Sequence, residues 1–382
     1  MLGQAPAGRP AVAVDCRWYR GSAPCEPHKA DGRSCNGCDR YDPIGDQVLI
    51  VKLGAMGDVL RTTALLPDII AQHDRAALTW ITRRESLPLL AGNPLVHRAI
   101  AADEALPLLM TRAFAAVYSL DADEDALALV QLAHAPVRRG YRAGPHGTAV
   151  GVEPGGDETL FRLGLSDSAK AANRRSYLEL LLATAGLRWS GGRPHLTLAA
   201  TALEAARCEL GALSGPRIGV NAGASGRWQH KRWTAHHLAA FIARLVEEGM
   251  TTVLFGESED ATANRALAAR FGNRVHAFDS TGNPARLFAG IAQLDALVTT
   301  DTLAMHAGWA LRRPIVALFG PTSAAEIDLD PDDLKLTADL PCLVCYRKTC
   351  DIERHCMELL TPELVFDALR RRLASSRSVA RT

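Results

Sequence analysis

Asp58 closes the stretch Gly54-Ala-Met-Gly57-Asp58, which follows the apolar run Val48-Leu-Ile-Val51 after Lys52 and Leu53. At the point where a strand turns into a helix, a carboxylate can cap the first helical amides. It can also take a proton from an acceptor hydroxyl. Capping requires only the aspartate, whereas the two preceding glycines let the backbone approach a ligand closely, which favours the second use. The spacing is GxxGD rather than the GxGxxG of dinucleotide folds, so something other than NAD is expected beside Gly57.

A second set of polar side chains lies in the other half of the chain. The loop "NAGASGRWQHKRW" follows the apolar strand "RIGV" and supplies Ser225 and Lys231. With the loop amides these could hold a diphosphate, which needs several donors and a cation when no metal is used. The plainer reading makes Lys231 a solvated residue at a helix start and Trp233 a core anchor. The stretch "LVTTDTLAMHAGWALRRPIVALFGPT" then sets Asp301, Thr302 and His306 between an apolar strand and a helix. Hydroxyls, a carboxylate and free amides at a helix start suit sugar hydroxyls and phosphate. Singly, Asp301 reads as a cap and His306 as a core histidine; together with the glycine turn that follows, they read better as a site. Glu257 and Glu259, after the strand "VLFG", are placed to bond a ribose diol, although acidic residues are ordinary in a first helical turn.

Of nine cysteines, four lie at Cys16, Cys25, Cys35 and Cys38 and four at Cys342, Cys345, Cys350 and Cys356, with Cys208 alone on a helix face. Each quartet contains a CxxC step and offers four thiolates, enough for a tetrahedral zinc site or an iron–sulfur cluster. The first quartet sits among prolines, glycines and charges, where cysteines are poorly placed as small buried hydrophobes. A bound ion there would supply folding energy that residues 15–41 otherwise lack. For the second quartet, metal ligation and reduced structural thiols are weighed equally.

The elements that must position these groups follow from hydrophobic pattern. Residues 1–45 show no apolar period and read as a Cys-rich N-terminal arm, expected to dock beside the first domain and help shape its acceptor side. From residue 46 to 195, β-rich runs at "VLIV", "AALTWIT" and "AAVYSLD" alternate with helical stretches, as in a parallel sheet. A Gly/Pro-rich linker at 186–198 precedes a second alternation over 196–340, with runs "PRIGVNAG", "MTTVLFG", "RVHAF", "DALVTT" and "PIVALFG". Residues 341–382 hold the second quartet and a final helix with Thr361 as N-cap and proline in its first turn. Two such halves set the carboxyl ends of their strands on either side of a cleft.

Length supports two α/β domains in 382 residues. With 43 Lys+Arg against 42 Asp+Glu the formal charge is +1, so no bulk attraction to nucleic acid or an anionic membrane is expected. Six of those 43 are lysines, an arginine bias that makes each arginine weaker evidence of anion binding than a lysine. The absence of a long apolar run or signal-peptide pattern points to a cytoplasmic protein with at most peripheral membrane contact. The cysteines are then expected reduced or metal-bound.

"VLIVKLGAMGDVLRTTALLPDI", "GASGRWQHKRWTAHHL", "LFGESED" and "LVTTDTLAMHAGWALRRPIVALFGPT" resemble, in this order, the motifs of the ADP-heptose:lipopolysaccharide heptosyltransferases, glycosyltransferase family 9. The resemblance spans about residues 46 to 370 and implies a GT-B fold and inverting transfer of heptose or a related sugar without a catalytic metal or cofactor. It implies a nucleotide-diphosphate sugar donor, with Asp58 as base, Lys231 on the diphosphate, and Asp301, Thr302 and His306 in the donor loop. The acceptor would be lipopolysaccharide core by default, or another lipid-linked saccharide or small molecule. Leu303 replaces the glycine usual after the Asp-Thr pair, and the cysteine-rich arm is absent from the best-known members. Two rival readings are a natural-product glycosyltransferase using another sugar nucleotide and a non-enzymatic metal- or redox-sensing module on a nucleotide-binding scaffold. An epimerase is disfavoured by the lack of GxGxxG and of a Tyr-x-x-x-Lys pair.

Overall fold

A computed structural model describes residues 12–223, 230–347 and 349–379. The apolar runs become the strands of two six-stranded sheets. The first contains β1 (Gln47–Val51), β2 (Ala77–Thr82), β3 (Arg98–Ala101), β4 (Ala116–Ser119), β5 (Val137–Ala143) and β6 (Ala149–Val152), in the order β3-β2-β1-β4-β5-β6. All its pairings are parallel except β5 with β6. Val48, Leu49, Ile50 and Val51 are fully buried, as expected of a central strand covered on both faces.

The second sheet contains β7 (Arg217–Asn221), β8 (Thr251–Leu254), β9 (Val275–Ala277), β10 (Ala296–Thr300), β11 (Ile315–Phe319) and β12 (Leu334–Thr337). Its order is β12-β11-β10-β7-β8-β9, parallel throughout. In each sheet the strand order reverses beside the first strand, between β1 and β4 and between β7 and β10. Ligands of open α/β sheets bind outside the carboxyl ends at such switch points. The segments bearing Asp58, Lys231 and Asp301 leave β1, β7 and β10, so the topology brings these residues to the two crevices.

The final helix, Pro362–Val379, begins where Thr361 Oγ1 accepts from the Leu364 amide at 3.4 Å. Its Val365, Phe366, Ala368 and Leu369 share a buried cluster with Phe241, Ile242 and Val298, which fastens the chain end onto the second sheet. Residues 187–199 carry no helix or strand, in keeping with their Gly and Pro density. No helix among the described residues is long and apolar enough to cross a membrane.

Residues 12–45 form turns, one short helix (Glu26–Asp31) and a bridge between Cys16 and Pro43. Polar contacts hold the segment: Tyr41 donates to Asp15 at 2.5 Å, and Ile44 N donates to Asp15 O at 2.7 Å. It meets the first sheet where Arg75 Nη2 donates to Pro43 O at 2.8 Å and Gly45 N donates to Arg75 O at 3.1 Å. Both contacts lie at the amino ends of the strands. The expectation that this segment shapes the acceptor side is therefore corrected, because Asp58 stands at the opposite end of β1.

Candidate active site

The turn after β1 is held by charge. Lys52 is buried and paired with Asp121, and its ammonium also donates to Leu120 O at 3.2 Å and Tyr177 Oη at 2.9 Å. Asp121 in turn accepts from the amides of Leu53 and Gly54. Burial alone would discharge Lys52, but the Asp121 carboxylate beside it more than offsets this and raises its pKa. The clamp fixes the backbone that leads into the helix Met56–Thr62.

Asp58 is the third residue of that helix, not its cap; Ala55 occupies the cap position without a side-chain bond. Its side chain is about a third exposed toward the cleft, 34%, and accepts from Arg61 Nη2 at 2.5 Å. Burial pushes the Asp58 carboxyl up, yet Arg61 and Lys52 pull it down further, and the net effect lies below its ordinary value. Asp58 is thus an ionised carboxylate, able to accept a proton. The Arg61 guanidinium itself lies 3.6 Å from the centroid of the Tyr177 ring, a stacking contact that limits where it can move.

Across the cleft, Lys231 Nζ donates to Asp301 Oδ2 at 2.9 Å, and the same oxygen accepts from Thr322 Oγ1 at 2.9 Å. Lys231 is therefore no freely solvated helix-start residue; its side chain is 13% exposed. Asp301 is likewise not the cap of the helix Leu303–Ala310, a position held by Thr302. Thr302 Oγ1 accepts from Asn221 Nδ2 at 2.8 Å, which ties the end of β10 to the end of β7.

His306, on the same helix, is buried, and its Nδ1 has no hydrogen-bond partner among the described residues. Burial first, then Arg61, pushes its pKa down to about 4 against the pull of Asp301 and Asp58, so the ring is neutral near pH 7. Gly57 packs against it. A Cβ on residue 57 would lie 2.9 Å from His306 Cδ2 and 3.7 Å from Leu303 Cα, so this glycine is required by the contact between the two halves as much as by any ligand.

Gly57, Asp58, Lys231, Glu257, Asp301, Thr302 and His306 all line one cavity of about 880 Å³ between the sheets. Ser225 lies outside the described residues. Glu257 faces the cavity, whereas Glu259 is paired with Arg232 at 3.0 Å, which leaves Glu257 as the better placed of the two for a ribose diol. Arg61, Glu326 and Tyr346, which no sequence motif marks, also line the cavity. Tyr346 donates to Glu326 Oε2 at 3.0 Å and accepts from Ser323 N at 3.3 Å. It stands beside Cys345, so the second cysteine-rich loop forms part of the cavity wall.

The cysteines themselves are free thiols. A tetrahedral zinc site with Zn–S bonds of about 2.3 Å places sulfurs roughly 3.8 Å apart. Among the described residues, the group of three or more metal-type side chains drawn within 4.8 Å is His236, His237 and Glu358; neither cysteine quartet is gathered so closely. Cys356 is packed instead: a Cβ on Gly320 would meet its Sγ at 2.7 Å. Burial, reinforced by Cys345 and Cys350 nearby, pushes the Cys356 thiol up to about 11.

Residues 168–355 match glycosyltransferase family 9 (heptosyltransferase). Over 103 residues the chain is 37% identical to lipopolysaccharide heptosyltransferase 2 of Escherichia coli (strain K12), a match covering 24% of this chain and 28% of that relative's length. The chain is a family 9, heptosyltransferase-like protein. The fold of this family 9 protein is similar to that of the family 9 glycosyltransferase from Veillonella parvula DSM 2008, with a TM-score of 0.70 and 19% identity, covering 86% of this chain and 98% of that one. The E. coli ADP-heptose lipopolysaccharide heptosyltransferase II follows at 0.63 and 22%, covering 87% and 99%. The iron-containing dodecameric glycosyltransferase TibC from enterotoxigenic E. coli matches at 0.55 and 15%, covering 87% and 77%. The two sheets facing a cleft in the family 9 protein are the GT-B architecture.

Proposed function

We propose that the family 9 protein transfers heptose, or a related sugar, from a nucleotide-diphosphate sugar of the ADP-heptose kind to an acceptor hydroxyl, with inversion and without a catalytic metal. The observation that carries this reading is the shared cavity, with the ionised Asp58 on one wall and the Lys231–Asp301 pair on the other. Asp58 takes the acceptor's proton as its oxygen attacks the anomeric carbon. The bond from that carbon to the diphosphate breaks on the opposite side, and its electron pair leaves with the diphosphate. Lys231, the Thr302 hydroxyl and the first amides of the helix Leu303–Ala310 receive the growing negative charge. Glu257 serves the ribose, and the neutral His306 holds the two walls at their separation.

In this reading residues 46–195 carry the acceptor, 196–340 the donor, and 1–45 and 341–382 are appended cysteine-bearing segments. Lipopolysaccharide core is the acceptor most in keeping with the E. coli relative, and the setting is the cytoplasm, at most touching a membrane surface. Zinc or iron enters only as a structural group, as the iron-containing relative suggests, and either quartet must first close its sulfurs together. Elemental analysis of Cys35→Ser/Cys38→Ser and Cys342→Ser/Cys345→Ser variants tests that part separately.

Purified protein given ADP-heptose is expected to release ADP at a rate that depends on added acceptor. Lys231→Ala should raise the donor KM about tenfold or more, the worth of a charged hydrogen bond, without a matching fall in melting temperature. Failure to release a nucleoside diphosphate from any of ADP-, GDP- or UDP-sugars would favour the metal- or redox-sensing reading.

A further inference from the structure

We propose that His236, His237 and Glu358 form a binding site for a divalent transition-metal ion of the zinc type, separate from the cleft, that staples the C-terminal segment to the helix Ala235–Glu247. The two histidines occupy the first turn of that helix, and Glu358 lies in the turn just before the final helix. His236 Nε2 is 2.9 Å and His237 Nε2 3.9 Å from the same oxygen, Glu358 Oε1. All three ligand atoms fall within 4.8 Å of one another. Zinc bonds of about 2.0–2.2 Å to nitrogen and oxygen separate tetrahedral ligands by roughly 3.4 Å, a value between the two distances observed. Small side-chain rotations would therefore seat an ion.

A simple ion pair joins His236 to Glu358, and the second imidazole, which also meets the Met357 backbone, stands 3.9 Å from the same carboxylate oxygen, beyond hydrogen-bond range. His237 is held there by the Met357 backbone and by packing, its ring 4.3 Å from that of His236 and 6.1 Å from that of Trp233. The backbone on both sides is already joined, because the buried Trp233 Nε1 donates to Leu360 O at 2.7 Å. Side-chain exposures of 65% for His236, 12% for His237 and 25% for Glu358 leave an entry path and an outward position for water. Two imidazoles and a carboxylate suit zinc or cobalt rather than magnesium or calcium. None of the three residues lines the large cavity, so this role is structural. It would act on the site indirectly, since Lys231 lies five residues before His236 and the second cysteine quartet ends two residues before Glu358.

The test titrates cobalt(II) into the untagged 382-residue chain after chelator treatment. Cobalt held by nitrogen and oxygen shows weak visible bands without the intense near-ultraviolet charge transfer of cobalt–thiolate bonds. One equivalent with that spectrum is expected, retained in Cys345→Ser/Cys350→Ser and weakened at least about tenfold in His236→Ala, His237→Ala and Glu358→Gln. Zinc should raise the melting temperature of the parent chain and not of these three. His237→Ala is decisive, because a mere His236–Glu358 ion pair gives it no role. Cobalt that binds equally well in all three variants, that shows thiolate charge transfer and is lost only with the cysteines, or that does not bind at micromolar concentration overturns the proposal.

Discussion

Arg61 Nη2 lies 2.5 Å from Asp58 Oδ1, while the guanidinium it belongs to stacks 3.6 Å from the Tyr177 ring centroid. The pairing is on one helical face, three residues apart, and it sets the charge of the group proposed as the base. Burial alone would push the Asp58 carboxyl up; Arg61 is the first of the cations that reverse this. The acid limb of kcat/KM should therefore fall below the ordinary carboxylate range in the parent enzyme. In Arg61→Ala the burial effect is left less opposed, and the limb should move to higher pH. An unmoved limb in a folded variant would separate Arg61 from the ionisation of Asp58.

Gly57 makes a different demand on the same helix. Its Cα faces His306 so closely that a methyl group would sit 2.9 Å from Cδ2. Gly57→Ala should cost about 1–3 kcal/mol in stability through overpacking and lower turnover by shifting one wall of the cleft. Thermal melting and steady-state kinetics together check it, and a variant with unchanged values in both would show that the contact is slack.

His306 should also give the protein a particular acid sensitivity. Its folded pKa of about 4 lies below the value of 6.5 expected for the unfolded chain. Between these values the unfolded state takes up a proton that the native state does not, so stability falls as pH drops from 6.5 and the loss is complete near 4. At pH 5 the deficit relative to pH 7 is about 2 kcal/mol from this one residue. Denaturant titrations at the two pH values should show that slope in the parent chain and a shallower one in His306→Asn.

Much of this geometry was legible in the sequence. The runs that became β1, β2, β4, β7, β8, β9, β10 and β11 are short, apolar and followed by polar turns, which is how fully buried parallel strands read. The others lack that signature. β3 is four residues with an exposed arginine, β5 carries three arginines in seven residues, and β12 alternates in burial along Leu334–Thr337. β3 and β12 lie at sheet edges and β5 next to one, and such strands take their identity from their neighbours. Asp58, Lys231 and Asp301 were recoverable because each follows a strand at a switch point. Lys52 was not singled out, since its partner Asp121 is 69 residues away, although a lysine directly after a buried strand in a lysine-poor chain is a usable signal. Arg61 was obscured by the arginine bias, and Tyr346 by the cysteines around it, which drew attention to metal chemistry and away from the cavity wall.

Asp58 is the proposed base that activates the acceptor. Asp58→Asn keeps the size of the side chain and its place beside Arg61 while removing its basicity. Turnover of donor with acceptor present should fall about 100- to 10,000-fold, with donor affinity by equilibrium titration held within a few-fold and the melting temperature preserved. The direct measurement is acceptor-dependent ADP release by Asp58→Asn beside the parent enzyme at saturating donor. A loss of that size with donor binding intact is the predicted result; turnover close to that of the parent would contradict the mechanism.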